Sequence, residues 1–253
     1  MSRRPAVLCC ALVLLAGCSS KAATTPLPSP SASLAATPIP AAYTLRSDAA
    51  QGYSLAIPDA WDYVLRDSPS FDADLQTVSQ HSPELAAYFQ QSFASDGQVR
   101  MLGADSRSLA TGFAANVQVM VSDLGPVASA PSLKDLGAAK LKLLGKQTTV
   151  AQPVKRTDGH LSGQAAERLD YALTGATSNP VVRSFLAVVE RDGRSYEYEL
   201  TMGALPDAAG TTFENLGRLF TLFTPAAGTP RPSAPAGSSP GVSPSRSASA
   251  SPQ

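Results

Sequence analysis

The chain predicts an α+β fold, a twisted antiparallel sheet of about six strands packed with helices and flanked by tails that do not fold. Three observations lead there: a hairpin dipeptide between two β-rich runs, further runs of strand composition, and helix starts marked by capping residues.

The hairpin lies in VVRSFLAVVERDGRSYEYELTMG, where Asp192-Gly193 suits a type I′ turn. A two-residue loop sets Val189 opposite Tyr196, Ala187 opposite Tyr198 and Phe185 opposite Leu200, a face expected to be core. On the other face Val188 pairs with Glu197 and Leu186 with Glu199. That half-apolar face should meet solvent or a helix edge. Four more strands are expected, in GYSLAIP (52–58), QVRMLGA (98–104), ANVQVMVSD (115–123) and GQAAERLDYAL (163–173).

The helices follow from their caps. Ser82 precedes Pro83 at the first helical position of PELAAYFQQSFA, whose apolar stripe is Leu85, Tyr88, Phe89 and Phe93 and which should stop near Asp96-Gly97. Ser132 and Asp135 read as a capping box before Leu133, Leu136, Leu143 and Leu144, with Gly145 at the stop. Thr211 and Glu214 read the same way before FENLGRLFTLF, placing Phe213, Leu216, Phe220 and Phe223 on one side. Each helix has one face to bury, so all three should lie against the sheet.

Composition divides the chain. Arg3 and Arg4 precede an apolar run from Ala6 to Leu15, too short to span a bilayer, and then Leu15-Ala16-Gly17-Cys18. This order describes a signal peptide over 1–17, and the tetrad resembles the lipobox of bacterial lipoproteins, which implies a lipid on Cys18 and a membrane anchor. Cys9 and Cys10 would leave with the signal, so the remaining chain would form no internal disulfide and would rest on its core. Residues 18–42 then form a tether of Ser, Thr, Ala and Pro without aromatic residues, and 225–253 a disordered tail of similar composition. The globular domain is 43–224. It carries all 20 acidic residues of the chain and 15 of the 20 basic ones, a net charge of −5, which argues against nucleic acid or anionic headgroups as partners.

Few residue patterns suggest chemistry. Gly-Ser-Ser-Pro-Gly at 237–241 fits the pattern of a serine nucleophile elbow, but Ser239 lies in the tail without the strand and helix that such an elbow needs. His160, in TDGHLSG, is read as part of a surface turn, and His81 as a residue just before the Ser82 cap. Two distant histidines without a spare cysteine supply too few zinc ligands, and no glycine-rich loop suits a phosphate; no metal and no cofactor are expected. Glu197 and Glu199, at i and i+2 on one strand face, have a separation that invites comparison with glycosidase carboxylates, but adjacent positions on a half-exposed strand are more often merely solvated. Asp59 and Trp61 after Pro58 form a candidate recognition patch, unless the only Trp of the chain fills the core.

GYSLAIPDAW resembles the strand, proline and tryptophan that open domains of the PsbP/Mog1-like superfamily. VRMLGADSRSLATGFAANVQVMV, a long helix, and a late hairpin with RDGRSYEYEL are similar to actinobacterial lipoproteins of the LpqN type. The resemblance covers nearly all of 43–224. It implies an antiparallel sheet packed between helices, a role as a binding or assembly accessory, and no catalytic residues to carry over. The chain is therefore expected to be a non-enzymatic binding protein, lipid-anchored on the outer face of the cytoplasmic membrane and docking an envelope protein through Asp59, Trp61, Glu197 or Glu199. The alternative is a carrier whose lipid or small apolar ligand would lie against Tyr88, Phe89 and Phe93.

Overall fold

A computed structural model describes residues 38–174 and 179–224. Ten strands and four α-helices follow in the order β1 (Tyr43–Asp48), β2 (Tyr53–Pro58), β3 (Asp62–Leu65), α1 (Phe71–His81), α2 (Pro83–Ser95), β4 (Val99–Ala104), β5 (Asn116–Pro126), α3 (Leu133–Leu144), β6 (Lys155–Leu161), β7 (Gln164–Ala172), β8 (Val181–Arg191), β9 (Arg194–Ala204), α4 (Pro206–Leu219) and β10 (Phe220–Leu222). Seven strands form one sheet in the order β3-β4-β5-β9-β8-β7-β6, and β1-β2-β10 form a second. All the pairings are antiparallel. The fold is α+β, as the sequence predicts.

The hairpin sets the register of the large sheet. Asp192 and Gly193 both adopt positive φ, 51° and 72°, as a type I′ turn requires, and Val189 meets Tyr196, Ala187 meets Tyr198 and Phe185 meets Leu200. Strand residues alternate between faces, so the two sides of this sheet bury different cores. On one side Val117, Val119, Tyr198, Leu200 and Met202 pack against Leu55 and Ile57 of the small sheet and Phe213 and Leu216 of α4. On the other, α1 and α2 cover Val64, Val99 and Leu102, while α3 covers Leu169 and Leu186. The half-apolar side of the hairpin therefore meets a helix.

Two caps form where the sequence places them. Ser82 Oγ accepts from the Leu85 amide at 3.2 Å, and Ser132 Oγ accepts from the Asp135 amide at 3.2 Å. In α3 the core contacts come from Leu133, Leu141 and Leu144, whereas Leu143 is exposed. Gly137 brings this helix close to the sheet, because a Cβ there would stand 2.9 Å from Glu167 Cγ.

The fourth helix corrects the sequence reading. It begins at Pro206, not at Thr211, with Leu205 as its N-cap residue and Ala209 already in the core. It also ends at Leu219, because Phe220, Thr221 and Leu222 leave the helical pattern to pair with Leu55, Ser54 and Tyr53. Phe220 is buried from this strand, stacked on Tyr53 at 5.9 Å, and Phe223 is exposed. The ladder beside β2 overrides a periodicity that suits a helix. Besides β10, strands β1, β3 and β6 add to the six expected; all are short or polar. His160 belongs to β6, opposite Ala165, and the turn falls two residues later at Ser162-Gly163, where both φ are positive. Helix α1 is also additional. It buries only Leu75 and Val78, too little to signal itself in sequence.

Candidate functional site

Asp59 and Trp61 come together with residues that the sequence does not associate with them. Strand β2 ends at Pro58, and the turn into β3 projects Asp59, Ala60 and Trp61 beside Asp62 and Tyr63. Opposite them stands α1, whose Asp74, Thr77, Val78 and His81 follow at helical spacing and so share one face. Ser106 and Arg107, from the 3₁₀ turn after β4, close the third side. The result is a groove of about 550 Å³, within the size range of ligand and peptide sites.

Its floor is fixed by internal bonds. His81 Nδ1 lies 2.6 Å from Asp62 Oδ1, linking the last residue of α1 to the first of β3 through a half-exposed imidazole. Asp59 Oδ1 accepts from Thr44 of β1 at 2.5 Å, and Asp74 accepts from Ser70 at 2.7 Å. Arg46 lies over the Tyr63 ring, 3.9 Å from its centroid, and Asp105 orients Arg107 through a 2.9 Å bond. Trp61 is half-buried and packs one side against the main core while it lines the groove. Core filling and surface presentation, alternatives in the sequence, are combined in one ring.

Glu197 and Glu199 lie elsewhere, on the face of β9 covered by α3. Lys140 Nζ donates to Glu199 Oε2 at 2.8 Å, and Thr201 Oγ1 donates to Glu199 Oε1 at 2.9 Å. Burial, then the neighbouring Glu199 charge, pushes the Glu197 carboxyl up to about 7, with Lys140 opposing. Burial pulls the Lys140 ammonium down, but Glu199 outweighs it and holds Lys140 above the usual lysine value. Tyr171 is raised by burial and then by Glu199. These groups form a polar seam under α3, separate from the residues that line the Trp61 groove.

The stripe proposed for an apolar ligand divides. Phe89 is fully buried and Phe93 nearly so, packed with Leu85, Leu102 and Val99, and Phe93 meets Phe71 edge-on at 5.3 Å. These two rings are core, because α2 needs them to seat on the sheet. Tyr88, on the flank of the same helix, is 46% exposed. Cys18 and Ser239 lie outside the described residues. Among the described residues no helix is long and apolar enough to cross a membrane, and no three His, Cys, Asp or Glu side chains are grouped to hold a metal ion.

The groove could not be read from sequence because α1 supplies one of its walls. The signal that was there is the helical spacing of Asp74, Thr77 and His81, with Asp72 and Asp74 marking a first helical turn.

No protein-family model matches this chain, and no curated protein sequence does. Solved structures with a similar arrangement include LpqN of Mycobacterium tuberculosis, described as involved in cell envelope biogenesis, with 13% identity, a TM-score of 0.47, and coverage of 72% of this chain and 91% of that one. Cyanobacterial PsbP from Synechocystis is similar at 15% identity and a TM-score of 0.43, covering 77% and 100% of the two chains. A Pseudomonas aeruginosa protein of unknown function, PA94, matches at 16% identity and a TM-score of 0.30, covering 76% and 99%. Both kinds of protein that the sequence resembles, LpqN-type and PsbP-like, are among these structures.

Proposed function

We propose that this chain is a non-enzymatic accessory protein of the cell envelope, held on the outer face of the cytoplasmic membrane by a lipid on Cys18, that docks another envelope protein through the Trp61 groove. The observation that carries this reading is the groove itself: the single Trp of the chain, partly buried, lines it beside Tyr63, with Asp59, Asp74, His81 and Arg107 around it. An aromatic anchor ringed by polar groups is the composition of a binding hot spot. The leader and Cys18 support the address, and a membrane tether allows a weak interface to suffice by raising local concentration. Glu197 and Glu199 take no part in this reading, since Glu199 is held by Lys140 and Thr201 beneath α3.

A photo-crosslinking amino acid at Ala60, on the groove rim, tests it in intact cells. A discrete adduct from position 60 and none from position 192, on the remote hairpin, is the expected result. Identical patterns from both positions would sink the docking surface. For the anchor, a Cys18→Ser chain should lose acyl label and membrane retention, and unchanged retention would rule the anchor out.

A further inference from the structure

We infer that the groove selects a lysine: the docked partner inserts a lysine side chain whose stem packs on Trp61 and whose ammonium meets Asp59 and Asp74 above the buried carboxylate of Asp62. The inference rests on the reading of the groove as a docking site and names the chemistry that such a site recognises.

Charge is the first argument. Three carboxylates line the groove, those of Asp59, Asp62 and Asp74, and among the described residues none of them is paired with a lysine or an arginine. The arginine of the lining, Arg107, is already held by Asp105 at 2.9 Å. Arg46 covers the Tyr63 ring and does not line the groove, so neither that cation nor that ring face is offered to a partner. A cleft lined by one sign of charge between low-dielectric walls focuses its field and draws the opposite charge.

Asp62 sharpens this. Its side chain is 7% exposed, and its Oδ2 has no hydrogen-bond partner among the described residues. A buried carboxylate with an unfilled acceptor is costly, and a cation held above it recovers part of that cost.

The open oxygens choose the cation. Thr44 occupies Asp59 Oδ1, Ser70 occupies Asp74 Oδ2 and His81 occupies Asp62 Oδ1. A guanidinium fork pairs best with both oxygens of one carboxylate, and here one oxygen of each is already used. An ammonium is a compact charge with three donors, which it can direct to separate carboxylates. Among the described residues these side chains are not grouped to hold a metal ion, which leaves an organic cation. The four methylenes of lysine need apolar surface, and Trp61 supplies it while its ring attracts the charge. About 550 Å³ is room for that side chain and the backbone that bears it.

Trp61 is the only Trp of the chain, so intrinsic fluorescence reports this groove alone. The full chain is titrated with acetyl-Gly-Gly-Lys-Gly-Gly-amide and with the same peptide carrying norleucine, which keeps the stem and lacks the charge. The expected result is a saturable change of emission with the lysine peptide, at a Kd on the order of 1 mM, and binding about tenfold weaker or less for norleucine. In a chain carrying Asp59→Asn and Asp74→Asn, both at the groove surface, the two peptides should converge. Equal responses of the unaltered chain to the two peptides, or no response to either up to roughly 20 mM, overturn the inference. So does a position-60 adduct in cells that survives undiminished in the Asp59→Asn, Asp74→Asn chain, and in that case the docking reading stands. An unaltered chain that gives no position-60 adduct removes both.

Discussion

Lys140 of α3 and Glu199 of β9, 59 residues apart in sequence, meet at 2.8 Å, and this contact joins the helix to the outer face of the large sheet. Removing one partner leaves the other charged and poorly solvated. Lys140→Met is expected to cost about 3 kcal/mol, read as a lower urea midpoint with an unchanged slope. Adding Glu199→Leu should recover part of that loss, because no buried charge then remains. A double variant less stable than Lys140→Met would contradict the account.

Glu197 ties stability to pH. Its carboxyl titrates near 4.5 when unperturbed and about 7 in the fold, so the folded state holds the proton more tightly. The protonated group carries no penalty below the unfolded value; as pH rises from 4.5 through about 7, stability falls by up to about 3 kcal/mol. Glu197→Gln should remove this slope, stabilising the protein at about pH 8 and leaving it nearly unchanged at about pH 4. Parallel stability curves for the two proteins across that range would show that Glu197 is not the group responsible.

The close approach of α3 makes a test of Gly137. Alanine at an exposed helix interior gains about 1 kcal/mol over glycine, but here its Cβ would stand 2.9 Å from Glu167 Cγ and 3.1 Å from Arg156 Nη2. Gly137→Ala is therefore expected to lower the melting temperature, by displacing the pair in which Arg156 holds the Glu167 carboxyl below its usual range. In a Glu167→Ala background the same substitution should raise it. A gain in both backgrounds would mean that the helix has room.

At the groove, His81 satisfies one oxygen of a buried Asp62 whose other oxygen, Oδ2, has no hydrogen-bond partner. His81→Ala is expected to destabilise the domain by about 1–2 kcal/mol, the cost of leaving a buried acceptor unmade. Differential scanning calorimetry measures this, and His81→Ala combined with Asp62→Leu should lie above the single variant. An unchanged melting temperature for His81→Ala would show that the imidazole does not secure α1 to β3.

Sequence alone was enough for whatever depends on neighbours along the chain. Asp192-Gly193 selects the turn, the turn sets the pairing, and the pairing puts Tyr196, Tyr198 and Leu200 on the core face. Ser82 and Ser132 cap helices because their hydroxyls reach amides three residues away. Tertiary structure alone decided the rest. Phe220 follows a helical periodicity and is a strand residue, because the edge of β2 offers a ladder that residues 220–222 complete. The groove arises where the β2–β3 turn, α1 and the turn after β4 converge, and no segment by itself carries its composition. Glu197 shows the same limit: whether an alternating strand position faces water or a helix changes its ionisation, and the position of α3 is set by packing among residues far apart in the chain.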